Sequence, residues 1–295
     1  MNTVLMNPTE NAVLQTLAYF EQFERALTIE ELHQFLWDKA VFQSGVQTIV
    51  SDLRKQKLVV MDDYIGLSKS SVASTKERQE LLMVRRAKAL RIASTLQQLP
   101  GVHSVILINS SALQTLTRES DIDFLLITES DSLYISCTLA IPHLELRRLM
   151  KSSHRQAGKA CLGYWVTEHD LELHQYQTEM HSAAYWLASM VPLSGYAGYT
   201  RLIAENSWVH QYLPNWTMHE VAHLPELPPY TWSGAPLINR LLWPLHRAKV
   251  MADPTFRNSS EMVCTLDRLK LHSIDQRPEY GQKMQSILDI LLQKH

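Results

Sequence analysis

The stretch that most constrains this chain is 105–128, VILINSSALQTLTRESDIDFLLIT. It reads as an apolar strand (105–108), a polar turn of Asn109, Ser110 and Ser111, a short helix, and a second strand (122–127). That second strand opens on two carboxylates, Asp121 and Asp123. Side chains at i and i+2 of a strand share one face. Two aspartates there, beside a serine-rich turn, make a site for a hard divalent cation carrying phosphate oxygens. The plain alternative is a helix-end turn at Ser120-Asp121 and a solvated Asp123. The run Phe124-Leu125-Leu126-Ile127 weighs against it, because a charge entering a buried strand is costly unless paired or metal-bound.

Glycine is scarce, nine residues in 295, so the chain holds no glycine-rich phosphate loop and no Walker-type NTPase. A net charge of −2 argues against a protein that holds nucleic acid by bulk electrostatics, while leaving room for a local basic face. No run approaches the ~20 apolar residues of a membrane span, and the N-terminus lacks a signal-peptide core. The three cysteines, Cys137, Cys161 and Cys264, are far apart and odd in number. Buried, reduced thiols in a cytoplasmic protein are therefore expected.

Residues 8–68 carry three helical patterns and a hairpin. Val13, Leu14, Leu17 and Phe20 keep a 3.6-residue period after Pro8-Thr9. Thr28 with Glu31 forms a capping box for a second helix. Val46, Ile49, Val50 and Leu53 mark a third, spanning 42–56, and 58–67 folds back through Met61-Asp62-Asp63. This order looks like a winged helix. A long helix over 75–98 follows, ended by Pro100-Gly101, and its Arg78, Arg85, Arg86, Lys88 and Arg91 make it the most basic element. A helix is expected over 133–150 and a strand over 160–167, then a mostly helical remainder broken by Pro225, Pro229, Pro236, Pro244 and Pro254.

The arrangement at 105–128 resembles the nucleotidyltransferase family related to DNA polymerase beta and the kanamycin nucleotidyltransferases. That family's signature is a strand, Gly-Ser, a short helix, and Ser-Asp-x-Asp opening the next strand. Ser110 matches the signature serine, Ala112 the small residue two further on, and Ser120-Asp121-Ile122-Asp123 the metal box. The chain departs at Asn109 and Gln114, where the family has glycines. The whole order also resembles bacterial proteins that join a winged helix to such a domain and a helical C-terminal region. Thr16-Leu17-Ala18-Tyr19-Phe20 with Phe23 and Leu27-Thr28, and later Asn206-Ser207-Trp208-Val209 with Tyr212-Leu213-Pro214-Asn215, carry that likeness.

The resemblance implies an α+β protein: a winged helix over 1–70, a linking basic helix over 71–101, a nucleotidyltransferase-fold mixed sheet over 102–170 and a helical region over 171–295. It implies transfer of a nucleoside monophosphate from an NTP to an acceptor, with Mg²⁺ or Mn²⁺ held by Asp121 and Asp123. Asn109, Ser110, Ser111 and Ala112 would then contact the nucleotide. The family's third carboxylate comes from a neighbouring strand, but 160–167 (ACLGYWVT) contains no acid; Glu168 and Asp170 follow it directly. That gap and Asn109 keep open a second reading, a degenerate member that binds nucleotide or DNA as a regulator.

Other features yield less. The histidines, His154, His174, His219, His223 and His272 among them, show no metal-ligand spacing. Tyr185, Trp186, Trp208, Tyr212, Trp216, Tyr230 and Trp232 suit core packing, or stacking on an acceptor. The third helix offers Gln43, Ser44, Gln47, Ser51, Arg54 and Lys55 to a DNA groove, a modest charge for that task. The basic helix either faces the triphosphate across a cleft or presents a solvated face.

Overall fold

The computed structural model describes residues 7–152, 156–173, 179–220 and 235–293, with 258, 260, 272, 273 and 275 excepted and 223–225 and 227 added. His154, His174, His272, Pro229, Tyr230 and Trp232 lie outside the described residues.

Helix α1 (Pro8–Glu21) is closed by a capping box of Asn7 and Glu10, and α2 (Ile29–Gln34) by the expected box of Thr28 and Glu31. Helix α3 (Gln43–Lys55) buries Val46, Val50 and Leu53. Strands β1 (Val60–Met61) and β2 (Ile65–Gly66) pair antiparallel. Helix α4 (Lys69–Leu96) begins six residues earlier than the sequence suggests. Its serine-rich opening reads as a turn, but Ser68 caps Ser71 N and the Thr75 hydroxyl accepts from Ala26 N at 2.8 Å.

The centre of the chain alternates β3 (Val102–Leu107), α5 (Asn109–Ala112), β4 (Ile122–Thr128), α6 (Leu133–Leu146) and β5 (Ala160–Thr167). Helix α6 stops four residues before the expected end. Arg148 adopts φ 55°, and Leu149 N returns to Leu144 O, so the apolar pair Leu149-Met150 leaves the helix and Met150 bridges to Ala160.

Beyond residue 171 come α7 (Met180–Ser189), β6 (Val191–Ser194), α8 (Tyr196–Glu205), α9 (Val209–Tyr212), α10 (Ala235–Ala252), α11 (Pro254–Arg257), β7 (Val263–Cys264), β8 (Arg268–Lys270) and α12 (Arg277–Gln293). This region, expected to be mostly helical, supplies three of the six strands of the main sheet, ordered β6-β3-β4-β5-β8-β7. Strands of two to four residues are too short to show a period of their own. Only β4 and β5 run parallel, joined through α6; the other neighbours are antiparallel.

Both sheet faces are covered, which is why its central strands read as continuous apolar runs. Val105, Leu107, Phe124 and Leu126 join a core with the C-terminal half of α4, α6 and α10. Ile106, Ile108, Leu125 and Ile127 face the other way, into a core shared with α1–α3, α7, α8 and α12. The N-terminal helices therefore have no separate interior: Tyr19, Phe20 and Phe35 all pack their rings against Tyr185 of α7.

Candidate functional site

Asp121, Asp123 and Cys161 each offer a ligand atom within 4.8 Å of the others. The sheet brings them together. Asp123 is the second residue of β4 and lies opposite Cys161 in the parallel register with β5. A register shift between Asp123 and Leu125 then re-aims the strand, so that Leu125 faces Tyr164. Asp121 stands just before β4, fixed between Gly158 N donating to Ser120 O and Ile122 N donating to Lys159 O, each at 2.8 Å. Lys151 completes the group, its ammonium 2.8 Å from Asp121 Oδ2.

Charge crowding sets the protonation of this cluster. Burial, then the Asp121 charge, pushes the Asp123 carboxyl up to about 6, against hydrogen bonds from Cys161 and Asn109. The Cys161 thiol is pushed up to about 12, first by burial and then by Asp123. Burial works to lower the Lys151 ammonium, but Cys161 and Asp121 beside it outweigh that and hold it above the usual lysine range. The cluster thus holds its Asp123 proton up to about pH 6, and at neutral pH it presents an ammonium and a protonated thiol.

The expected turn takes the conformation that its sequence permits. Asn109 and Gln114, both at glycine positions of the family signature, adopt left-handed φ of 55° and 53°. Asn109 Oδ1 accepts from Trp186 Nε1 at 2.9 Å, and its side chain also hydrogen-bonds Asp123. Asn109, Ser110 and Asp123 line one cleft of about 320 Å³. Ser111 and Ala112 are instead buried.

The other wall of that cleft joins Trp186, which the sequence offered for core packing or stacking, to residues that local sequence reasoning missed. Tyr164 and Trp186 stack at 5.9 Å with an interplanar angle of 11°. Glu261 meets Lys270 Nζ and Arg277 Nη2, both at 2.7 Å. Lys270 pairs in register with Tyr164, which places it on the cleft face. No local signal marks it, because that face is set by β8 docking on β5.

Glu168 and Asp170 stand at the other end of β5, ~20 Å from Cys161 by strand rise. Glu168 meets Arg201 at 3.2 Å. Asp170 receives Arg268 Nε and Nη2, each at 2.8 Å, in a two-pronged pair with a fully buried guanidinium. Cys161, not an acid, occupies the neighbouring-strand position beside the aspartates. The basic residues of α4 do not line the cleft. Trp216 is core, with its indole N–H on Ala188 O. His219 and His223 share no helix face: His219 O accepts from Tyr196, and the His223 ring meets Arg86.

The three cysteines are free thiols, Cys137 buried and the others half-buried. Among the described residues no helix is long and apolar enough to cross a membrane. No family model matches the chain, and neither a curated protein nor a solved structure matches it.

Proposed function

We propose that this chain is a nucleotidyltransferase that moves a nucleoside monophosphate from an NTP to an acceptor, with Asp121 and Asp123 as its central acids. The observation that carries this reading is that Asp123 lines one cleft with Asn109 and Ser110, while Asp121 offers a carboxylate oxygen within 4.8 Å of that of Asp123. The two carboxylates suit a hard divalent ion, Mg²⁺ or Mn²⁺ by family resemblance, whereas the protonated Cys161 sulfur beside them is too soft a donor to help hold it. Such an ion supplies charge neutralisation at the phosphates when bound. The chain's own groups do the rest. Ser110 presents its hydroxyl to the phosphates, and the Asn109 amide, held by Trp186 and Asp123, stands beside them. Tyr164 and Trp186 form a flat wall for a base. Lys270 and Arg277, both paired with Glu261, bring an ammonium and a guanidinium to the same wall.

A second reading, nucleotide binding without turnover, draws on two observations. The Lys151 ammonium already neutralises Asp121, and a thiol stands where the family places a third acid. In both readings the first seventy residues form a winged helix used chiefly as an interdomain module. Its shared core with α7 and α12 supports that use, and DNA remains the alternative partner for α3.

Calorimetry with ATP and Mn²⁺ tests the metal site: the wild type binds nucleotide in a metal-dependent manner, and Asp121→Asn with Asp123→Asn does not. Equal binding by the double variant sinks both readings. Release of pyrophosphate with a cognate acceptor separates transfer from binding alone.

A further inference from the structure

The second half of helix α4 carries Arg85, Lys88 and Arg91 toward the turn before β5, outside the cleft. Arg85, Lys88 and Arg91 recur every third residue, on neighbouring positions of one helix side. They meet the turn before β5: Gly158 holds φ 62°, and a Cβ there would lie 2.1 Å from Arg85 Nη1, so the guanidinium lies directly against this turn. Lys159 follows, its ammonium 2.5 Å from Arg148 O. Arg85, Lys88 and Lys159 are half-buried, while Arg91 and Arg148 are exposed. The fields of Lys159, Arg85 and Arg91, added to burial, depress the Lys88 ammonium below the usual lysine range.

Folding has thus brought Arg85, Lys88, Arg91 and Lys159 together, with the backbone of a fifth cation, Arg148, beside Lys159. Among the described residues none of the five forms an ion pair, although Glu119 and Glu145 are close along the chain. Like charges held together cost free energy unless an anion spreads across them. The patch also has a direction. Lys159 O is the acceptor for Ile122 N, and Lys151 N donates to Ala160 O, so the turn that holds Lys159 is bonded to both sides of the Asp121–Lys151 pair.

We propose that Arg85, Lys88, Arg91, Arg148 and Lys159 form a track for the phosphate backbone of a nucleic acid whose end reaches Asp121 and Asp123. A single phosphate is too small an occupant: Arg85 to Arg91 alone spans ~9 Å of helix rise, and Lys159 and Arg148 extend the patch sideways. An anionic membrane is the rival, because Met83 and Val84 are exposed beside these cations. The bonding of the track to the aspartate segment favours a linear polyanion with an end to present. As the acceptor assignment, this rests on the nucleotidyltransferase reading; as a binding surface it stands without it.

The test uses the full chain, a fluorescein-labelled single-stranded RNA oligonucleotide, and neither metal nor NTP. Anisotropy should show binding that weakens with KCl. Replacing Lys88, Arg91 and Lys159 by glutamate should lower the salt slope by about 2, at ~0.7 per phosphate contact on a single strand. Arg54→Ala with Lys55→Ala on α3 should change nothing. Because the charge reversals can unfold the chain, the wild type is also probed by lysine acetylation read by mass spectrometry. RNA should protect Lys88 and Lys159 but not Lys55 or Lys283. Unaltered binding in the triple variant overturns the proposal, as does protection of these lysines by phosphatidylserine vesicles and not by RNA. RNA binding without nucleotide transfer leaves the track standing and fails only the transfer reading. Transfer to a small molecule with no RNA binding does the reverse.

Discussion

Trp186 Nε1 donates to Asn109 Oδ1 at 2.9 Å, tying α7 to the left-handed residue that opens the turn after β3. The bond fixes the amide so that its other end can serve Asp123. In Asn109→Gly the indole loses its acceptor, a loss of about 1 kcal/mol, while the left-handed backbone becomes easier by a similar amount. The variant should melt within a few degrees of the wild type and bind ATP with Mn²⁺ more tightly, because the amide no longer crowds the phosphates. Calorimetry and thermal unfolding check both halves. Loss of nucleotide binding in a folded variant would make Asn109 a ligand in its own right.

Lys151 competes with any divalent ion for Asp121, since its ammonium already sits 2.8 Å from Oδ2. The pair is partly exposed and worth ~1 kcal/mol. Lys151→Ala should therefore tighten Mn²⁺ binding roughly fivefold. Weaker binding in that variant would show that the ammonium supports the site.

The Asp123 carboxyl, raised to about 6 by burial and by Asp121, predicts a pH dependence of definite sign. A carboxyl whose folded pKa lies above its unfolded one holds its proton more tightly when folded. Its contribution to stability is complete below the unfolded value of 3.8 and is lost as pH rises through about 6. Wild-type stability should fall by about 3 kcal/mol from this group across that window, and Asp123→Asn should flatten the fall. Mn²⁺ binding should run the other way, weakening below pH 6 as protons compete for the carboxylate. Denaturant titrations between pH 4 and 7 decide the point.

Cys161 stands beside two aspartates, and its thiol is pushed up to about 12. At pH 8 its thiolate fraction is ~10³-fold below that of an ordinary cysteine. A disulfide reagent should leave Cys161 unmodified in the native chain and label it within minutes in guanidinium. Rapid labelling of the native protein, absent in Cys161→Ser, would contradict the charge arrangement described for the cluster.

Asp170 neutralises the fully buried Arg268. Asp170→Asn removes the charge on the carboxylate that receives that guanidinium at two points, at a cost of ~3 kcal/mol. The midpoint of thermal unfolding should drop sharply, while Mn²⁺ affinity measured below it stays unchanged. A selective loss of metal binding would return Asp170 to the site.

The local sequence was sufficient for whatever one segment can specify alone. Thr28 and Glu31 mark α2 because a capping box closes within four residues. Residues 122–128 and 160–167 announce strands because a sheet covered on both faces needs apolar side chains at every position. Asp121, Asp123 and the left-handed Asn109 were legible for the same reason, as their geometry is fixed within one strand-turn-strand unit. Where serines cap a helix from within, as at Ser68 and Ser71, local propensity misplaced its start.

Tertiary structure decided the remainder. Cys161 meets Asp123 only through a parallel register that α6 must cross over to create. Lys151 reaches Asp121 because Arg148 turns the chain out of α6. The pairing of Lys270, Arg277 and Glu261 needs β8 docked on β5, more than a hundred residues after the aspartates. Long-range pairing of this kind leaves no period in the sequence, because the contacts that reward it lie on another part of the chain.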